Sequence, residues 1–336
     1  MTQKIDNNAN ILNSASAEAE GLTAEKSSKL LSGIKAVYTK IKSFFCDIKK
    51  ERPDTEDGFL EKRGIVGLKK KRVWEIDFIR GFCILLMIMD HIFNIIAFEF
   101  ASAWRYTDSY KAVLDARFYW HHPARKVIHE IVLFLLFSVS GISGSLSRSN
   151  LKRGIQLSLI SIVFSLVTFM LQRYLGFSGV FVHYGVLNFL ATCIMIYAVL
   201  QLIAKKNKYI LSVICAAIFI TSTVLFHCYT PPSDTPVFLF FLFPAGTFYT
   251  QWALSPGDLF PFITYAPYFF FGAMIGPLIY GRKKSLLPTL DRAWHKPVSF
   301  IGRYALLIYL THILVLTLLI ALISFLFITP GDFVIL

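Results

Sequence analysis

Seven stretches of the sequence, at 76–100, 127–146, 155–175, 180–203, 209–226, 262–280 and 301–328, are apolar almost throughout. Each approaches or exceeds the ~20 residues that an α-helix needs to cross the ~30 Å hydrocarbon layer of a bilayer. The expected fold is therefore all-α, a polytopic transmembrane helical bundle of about seven spans. Of the 336 residues, 55% are hydrophobic and 16% charged, whereas a soluble domain carries about 25% charged residues. With a mean hydropathy of +0.57, most of this chain has lipid as its solvent.

The loops orient the bundle. Cytoplasmic loops of membrane proteins carry an excess of Lys and Arg. With the amino terminus inside, the inner loops hold Arg148, Lys152 and Arg153, then Lys205, Lys206 and Lys208, then Arg282, Lys283, Lys284, Arg292 and Lys296. The opposite side has Arg173 in one short loop and no Lys or Arg from Tyr209 to Gly281. The first outer loop departs from this rule with Arg105, Lys111, Arg117, Arg125 and Lys126, offset in part by Asp108 and Asp115. Such a loop either binds an anionic partner or is long enough to be tolerated. The stretch 231–261 is apolar and aromatic but broken by six prolines, so it reads as a re-entrant or interfacial segment, with an eighth span as the alternative.

Ahead of the spans, 1–27 is polar and aperiodic, and reads as a disordered cytoplasmic tail. Over 28–50, apolar residues from Leu30 to Ile48 recur at helical spacing opposite a face of lysines. That is the pattern of a basic amphipathic helix, lying either on an anionic leaflet or on the protein's own inner face. A polar linker, 51–70, leads to the basic run Lys69 to Arg72 and the membrane domain, 71–330.

The net charge of +13 is clustered at these loops and lacks the basic and aromatic interleaving of a nucleic-acid surface. The five cysteines, Cys46, Cys83, Cys193, Cys215 and Cys228, form no CxxC pair and no zinc spacing. They read as small buried hydrophobes, and no metal is expected.

Ionisable groups inside a span are costly and are functional candidates by default. The first span holds Asp77, Arg80, Asp90 and His91. Asp77 and Arg80 share a helix face at spacing i, i+3, where they suit an ion pair or a phosphate contact. Arg80 and His91 are eleven positions apart, close to three turns, so they lie on nearly one face ~16 Å apart along the axis. A neutral imidazole there suits general-base work on a hydroxyl or amine. Asp90 projects away from that face, which leaves open whether it orients His91. His129 and His312 are further histidines within spans; a hydrogen bond between helices is the simpler reading of His312.

The run KRVWEIDFIRGFCILLMIMDHIFN, followed by LFLLFSVSGISGSLSRSNLKRG, resembles the catalytic domain of the heparan-alpha-glucosaminide N-acetyltransferase family and its bacterial relatives. HYGVLNFLATCIMI (183–196), GDLFPFITYAPYFFFGAMIG (257–276) and IGRYALLIYLTHILVL (301–316) extend the resemblance over essentially the whole membrane domain. The Arg80 and His91 spacing is similar to the first-helix signature of the wider acyltransferase-3 superfamily, whose members acylate extracytoplasmic sugars.

The resemblance implies an enzyme that takes an acyl group, most simply acetyl, from cytoplasmic acetyl-CoA and passes it to an extracytoplasmic sugar or glycopolymer acceptor, and the basic inner loops fit a bacterial plasma membrane. By that resemblance His91, with Asp90 beside it, is the transfer residue. Arg80, Arg148, Lys152 and Arg153 then meet the donor, although the last three also serve the charge rule of inner loops. The family pattern differs at two places. Bacterial relatives often place His where Asn188 stands, and the animal enzymes place Asn at the position of His91 and use a His in the loop that follows. His121 and His122 occupy that loop here, and His122 is accordingly a second catalytic candidate.

Two other classes of function fit the same polar cluster. A transporter or flippase of sugar- or lipid-linked substrates would use it as a binding or relay site, but the chain has no evident inverted repeat and an odd number of spans. A membrane scaffold would act through the amino-terminal amphipathic helix.

Overall fold

The computed structural model describes Ser32, Thr39 and residues 73–147, 149–175, 180–205, 207–229, 241–243, 258–281 and 284–327. The tail 1–27, the linker 51–70, nearly all of the basic helix expected over 28–50, and most of 231–257 lie outside these residues, as does Arg148. The chain divides into the units Met1–Lys71 and Arg72–Leu336, and it is the second whose architecture is described.

In chain order the helices are α1 (Trp74–Asn94), α2 (Tyr110–His121), α3 (Pro123–Leu146), α4 (Asn150–Leu175), α5 (Val186–Ile203), α6 (Lys208–Cys228), α7 (Phe262–Ile279), α8 (Lys296–Arg303) and α9 (Ala305–Phe327). Two short strands, β1 (Val182–Tyr184) and β2 (Asp258–Leu259), pair in parallel. Seven of these helices, α1, α3, α4, α5, α6, α7 and α9, are long and apolar enough to cross a membrane. The protein is a multi-pass, all-α membrane protein.

The face at which α1 begins, here called proximal, gathers the ends of α1, α3, α4, α5, α6 and α7. Arg80 of α1 meets Ser143 of α3, Asn150 of α4 meets Gln201 of α5, and Gly281 after α7 faces Lys208 of α6. Glu75 fixes the loop that follows α7, its carboxylate accepting from the Ser285 hydroxyl and from the N–H groups of Leu286 and Leu287 at 2.6, 2.6 and 2.9 Å. The turn from α5 to α6 is tight. Lys205 takes a left-handed φ of 47°, and Asn207 caps α6 by accepting from the N–H groups of Tyr209 and Ile210.

In lipid there is no hydrophobic drive between helices, so association rests on close packing, and small residues let backbones approach. Two crossings use this. Gly81 of α1 lies against Val298 and Gly302 of α8, with Gly302 in turn on the Asp77 carbonyl. Gly272 of α7 lies on Ser138 of α3, and Gly141 of α3 lies on Phe269 and Ala273 of α7. Gly81 lies at Gly302 and, ten residues on in both numberings, His91 lies at His312, while Ser138 lies at Gly272 and Ile142 at Gly276, so α8 and α9 run parallel to α1, and α7 runs parallel to α3. Parallel first and last spans are what seven crossings require.

The structure departs from the expected spans in three places. The apolar run 301–328 is divided, because α8 ends at Arg303 and the chain bends at Tyr304, whose N–H is shared between the Phe300 and Ile301 carbonyls. That bend accommodates the close approach of Gly302 to α1. The run 180–203 begins as β1 before its helix starts at Val186. The third helix starts at Pro123, earlier than the apolar run at 127, because His122 caps it and proline suits the first helical turn.

Cations of the loop between the first two spans also find partners. α1 ends in a π-turn, Ile95–Glu99, and the Ala97 carbonyl there accepts from Arg117 Nε at 3.0 Å. Arg125 pairs with Asp90. Two of the five cations in that loop are thus engaged inside the bundle, so they are structural rather than topological charges.

Candidate functional site

Two polar clusters flank the α1 crossing. At the proximal end Arg80 donates from Nη2 to Ser143 Oγ at 2.7 Å and contacts Asp77 at 3.5 Å. Asp77 also lies 3.4 Å from Arg303 Nε. The Ser143 hydroxyl in turn donates a hydrogen bond to the Val139 carbonyl at 2.7 Å. Arg153 approaches the same turn from α4, donating to the Ser143 carbonyl and to Asn150 Oδ1 at 3.4 and 3.3 Å. The two guanidiniums thus converge on the last turns of α3, close enough to repel one another.

The glycines and serines of SGISGS explain the convergence: they leave the helix end without bulky side chains. A helix carboxyl terminus carries partial negative charge, which favours cations. The arrangement also fits an anion with several oxygens, since Arg153 is held by neutral oxygens and guanidinium groups bind phosphate in a forked geometry. Lys152 is exposed beside it on α4.

Past the crossing, three turns along α1, His91 sets its Nδ1 2.8 Å from the Met87 carbonyl. A carbonyl only accepts, so Nδ1 carries the proton and Nε2 keeps the lone pair of the neutral ring. The His312 ring of α9 packs edge-on against it, centroids 4.8 Å apart. His312 Nδ1 lies 2.7 Å from the Tyr309 carbonyl, while its Nε2 is buried with no partner among the described residues.

The Tyr309 hydroxyl donates to Asp258 Oδ2 at 2.9 Å, and the Val186 N–H approaches the same oxygen at 3.4 Å. Burial pushes the Asp258 carboxyl up to about 6, against these two hydrogen bonds. Gly185 is required here, because a Cβ would stand 2.9 Å from Asp258 Oδ2 and 2.5 Å from Val182 Cγ1.

Asp90 faces away from His91. It receives a two-pronged ion pair from Arg125, Nε to Oδ1 at 2.8 Å and Nη2 to Oδ2 at 2.6 Å, and a third bond from the Tyr119 hydroxyl at 3.1 Å. The Arg125 guanidinium lies 3.6 Å over the Trp120 ring. His129 stands within electrostatic reach of Asp90, Arg125 and His91. His122 is exposed, and its Nδ1 accepts from the Ala124 N–H at 3.2 Å, capping α3. His121 bonds the Arg117 carbonyl. Asn188 donates to Ser165 Oγ and the His183 carbonyl, joining α4 to α5.

The structure therefore brings Arg80 and Arg153 together, and separately joins His91 to His312 and to the Tyr309 and Asp258 pair. It sets Asp90 and His122 at the corner between α1, α2 and α3. Asp258, Tyr309 and Ser143 were not singled out from the sequence. Asp258 lies in the proline-broken segment and Tyr309 in an apolar run, and neither spacing nor composition signals that they meet.

The family model for the catalytic region of heparan-alpha-glucosaminide N-acetyltransferase matches residues 72–314 of this chain. No curated protein and no solved structure matches it.

Proposed function

The chain belongs to the heparan-alpha-glucosaminide N-acetyltransferase catalytic family, and from that premise we propose that it transfers acetyl from acetyl-CoA to an amine or hydroxyl of a sugar or glycopolymer. The donor binds at the proximal face, which is cytoplasmic, and the acceptor approaches from the far side of a bacterial plasma membrane. The sidedness is supported by the lysines and arginines of the proximal loops.

Arg80 and Arg153 hold donor phosphates, with Lys152 at the rim, and Arg148 is assigned to the same donor from its place in the sequence alone. The thioester lies along α1 toward His91. The Nε2 lone pair acts either as a base, taking the proton of the attacking amine or hydroxyl, or as a transient carrier of the acetyl group. In both cases the carbonyl carbon loses its bond to sulfur, and the thiolate leaves with the donor. Asp90 and His122 act on the shape of the site, Asp90 by clamping Arg125 of α3 and His122 by capping the same helix.

The observation that carries this reading is one face of α1 with Arg80, joined by Arg153 of α4, at one end and, three turns on, an imidazole whose tautomer presents a lone pair. The test is acetyl-CoA binding and CoA release by the protein in lipid nanodiscs, wild type against His91→Ala and Arg80→Ala. His91→Ala should bind the donor and lose turnover, and Arg80→Ala should bind it less tightly. A wild-type protein without affinity for acetyl-CoA sinks the proposal and favours a transporter.

A further inference from the structure

The bundle spends hydrogen-bonding groups sparingly in its interior, yet it places two imidazoles in contact. In both rings Nδ1 faces a carbonyl of its own helix, Met87 for His91 and Tyr309 for His312. Both rings therefore carry the proton on Nδ1 and present Nε2 as an acceptor. His312 is 7% exposed, and its Nε2 has no donor among the described residues. A buried acceptor left without a donor costs about 1–3 kcal/mol. Among the described residues, a hydrogen bond between helices, the simple structural reason for a histidine in a span, is not what this ring makes.

The position of the ring is held from outside its helix. Asp258 comes from the segment before α7 and anchors the Tyr309 hydroxyl, and the carbonyl of that same tyrosine orients the His312 ring. Lys296 to His312 spans sixteen residues, ~24 Å along α8 and α9 at 1.5 Å per residue. The chain continues for fifteen more to Phe327. The imidazole pair thus stands well along the span, and the β1 and β2 pairing brings Asp258 to Tyr309 beside it.

We propose that His312 is a second catalytic residue, whose Nε2 takes the proton of the acceptor while His91 faces the acetyl donor. The proposal rests on the acetyl-transfer reading and assigns its acceptor side. In the step, the acceptor N–H or O–H breaks and its proton moves to His312 Nε2. The freed electron pair forms the bond to the acetyl carbon, and the bond from that carbon to the donor group breaks, its electron pair leaving with the donor. Asp258 and Tyr309 are positioning residues for this base.

The test uses the full chain in nanodiscs with acetyl-CoA and glucosamine as probe acceptor, following both free CoA and acetylated glucosamine. His312→Ala should bind acetyl-CoA as wild type does and lose ~10²–10⁴-fold in kcat, the range for a general base. Added imidazole should restore part of the rate, because the truncated side chain leaves room beside His91 for a free ring. His312→Gln fills that room, so it should fold, bind the donor and stay inactive with imidazole present.

A His312→Ala protein that turns over at the wild-type rate overturns the proposal. So does one that binds acetyl-CoA normally, is inactive, and gains nothing from imidazole, since that is the signature of a structural role. Should His312→Ala fail to fold, a folded His312→Gln protein with wild-type kcat overturns it equally. A wild-type protein that never engages acetyl-CoA instead overturns the reading beneath it, which separates the two failures.

Discussion

Gly302→Ala tests how the bundle holds its site together. A Cβ on Gly302 would fall on the Asp77 carbonyl oxygen and stand 2.9 Å from the Gly81 nitrogen, against about 3.5–4.0 Å for comfortable heavy-atom contact. Even the nitrogen contact requires α1 and α8 to part by at least about 0.6 Å, and the carbonyl requires more. No side chain can rotate out of the way, because every atom met is backbone. Overpacking of this kind costs about 1–3 kcal/mol, and a rigid obstacle argues for the upper end. The displacement is passed to the imidazole pair, ten residues further along α1 and, past the bend at Tyr304, on α9, where the centroids are 4.8 Å apart. A misplacement near 1 Å can cost about 10²-fold in rate. We expect a lower unfolding temperature in nanodiscs and about a 100-fold loss of CoA release at saturating acetyl-CoA. Gly154→Ala is the control. Its Cβ would crowd the Sδ and Cγ of Met195, at 2.6 and 2.8 Å, with the Met195 backbone nitrogen in ordinary contact at 3.4 Å, and that unbranched side chain can move aside. If Gly302→Ala unfolds and turns over like wild type, the two helices do not cross where the structure has them cross.

Arg80→Ala and Arg153→Ala should each weaken acetyl-CoA binding about 10- to 100-fold, the value of a charge-assisted hydrogen bond; titration calorimetry showing unchanged affinity in both would remove the phosphate role. Asp90→Asn strips the Arg125 guanidinium of its charged partner, and should cost about 3 kcal/mol, whereas the double change with Arg125→Met should recover part of the loss in a thermal melt. His122→Ala should cost about 1 kcal/mol, as the loss of a helix cap does, with kcat unchanged; a collapse of kcat would move the transfer chemistry into that loop. Burial raises the Asp258 carboxyl from the ordinary 3.8 to about 6, so the folded protein holds that proton more tightly than the unfolded chain. The stabilisation from that tighter binding is fully present below about pH 4 and is lost as pH rises through about 6. Wild type should therefore lose unfolding temperature relative to Asp258→Asn between pH 5 and pH 7.5, and a constant difference between the two would contradict the assignment.

The spans were legible because each pays its backbone polarity internally and so must be a long apolar run. The family was legible too, since the motifs from KRVWEIDFIRG to IGRYALLIYLTHILVL fall in order along the matched region. Within the site, α1 could be read alone: periodicity puts Arg80 and His91 on one face, and each does meet a cluster there. What could not be read was which group from another helix completes each cluster. Ser143 and Arg153 reach Arg80 through the packing of α3 and α4. His312 reaches His91 because glycines let α8 approach α1, and Asp258 reaches Tyr309 through the pairing of β1 with β2. The role of Asp90 was hidden for the same reason, since its partner Arg125 looked like an ordinary loop charge until α3 was seen to begin at Pro123.

The cost of burying polar atoms in a bilayer sharpens the case for the imidazole pair. Among the described residues, the charged groups at the ends of α1 are engaged: Glu75 accepts three hydrogen bonds through Oε1, Asp77 meets Arg80 and Arg303, and Asp90 meets Arg125 and Tyr119. Five buried side-chain atoms lack a partner there: Glu75 Oε2, the hydroxyls of Tyr197, Ser212 and Thr264, and His312 Nε2. Glu75 already has its other oxygen committed to a loop, and three are hydroxyls. A hydroxyl can turn its proton toward whatever oxygen is nearest, so its orphan state is soft. An imidazole nitrogen has no such freedom once Nδ1 is committed to a carbonyl: its lone pair is fixed in direction and must be met from outside the ring. His312 is the one of the five whose ring packs against the His91 ring, and His91 lies three turns along α1 from Arg80, which Arg153 of α4 joins at Ser143. A selectively neutral packing defect would have no reason to be held by an aspartate drawn in from a different part of the chain, whereas a base awaiting a proton donor would.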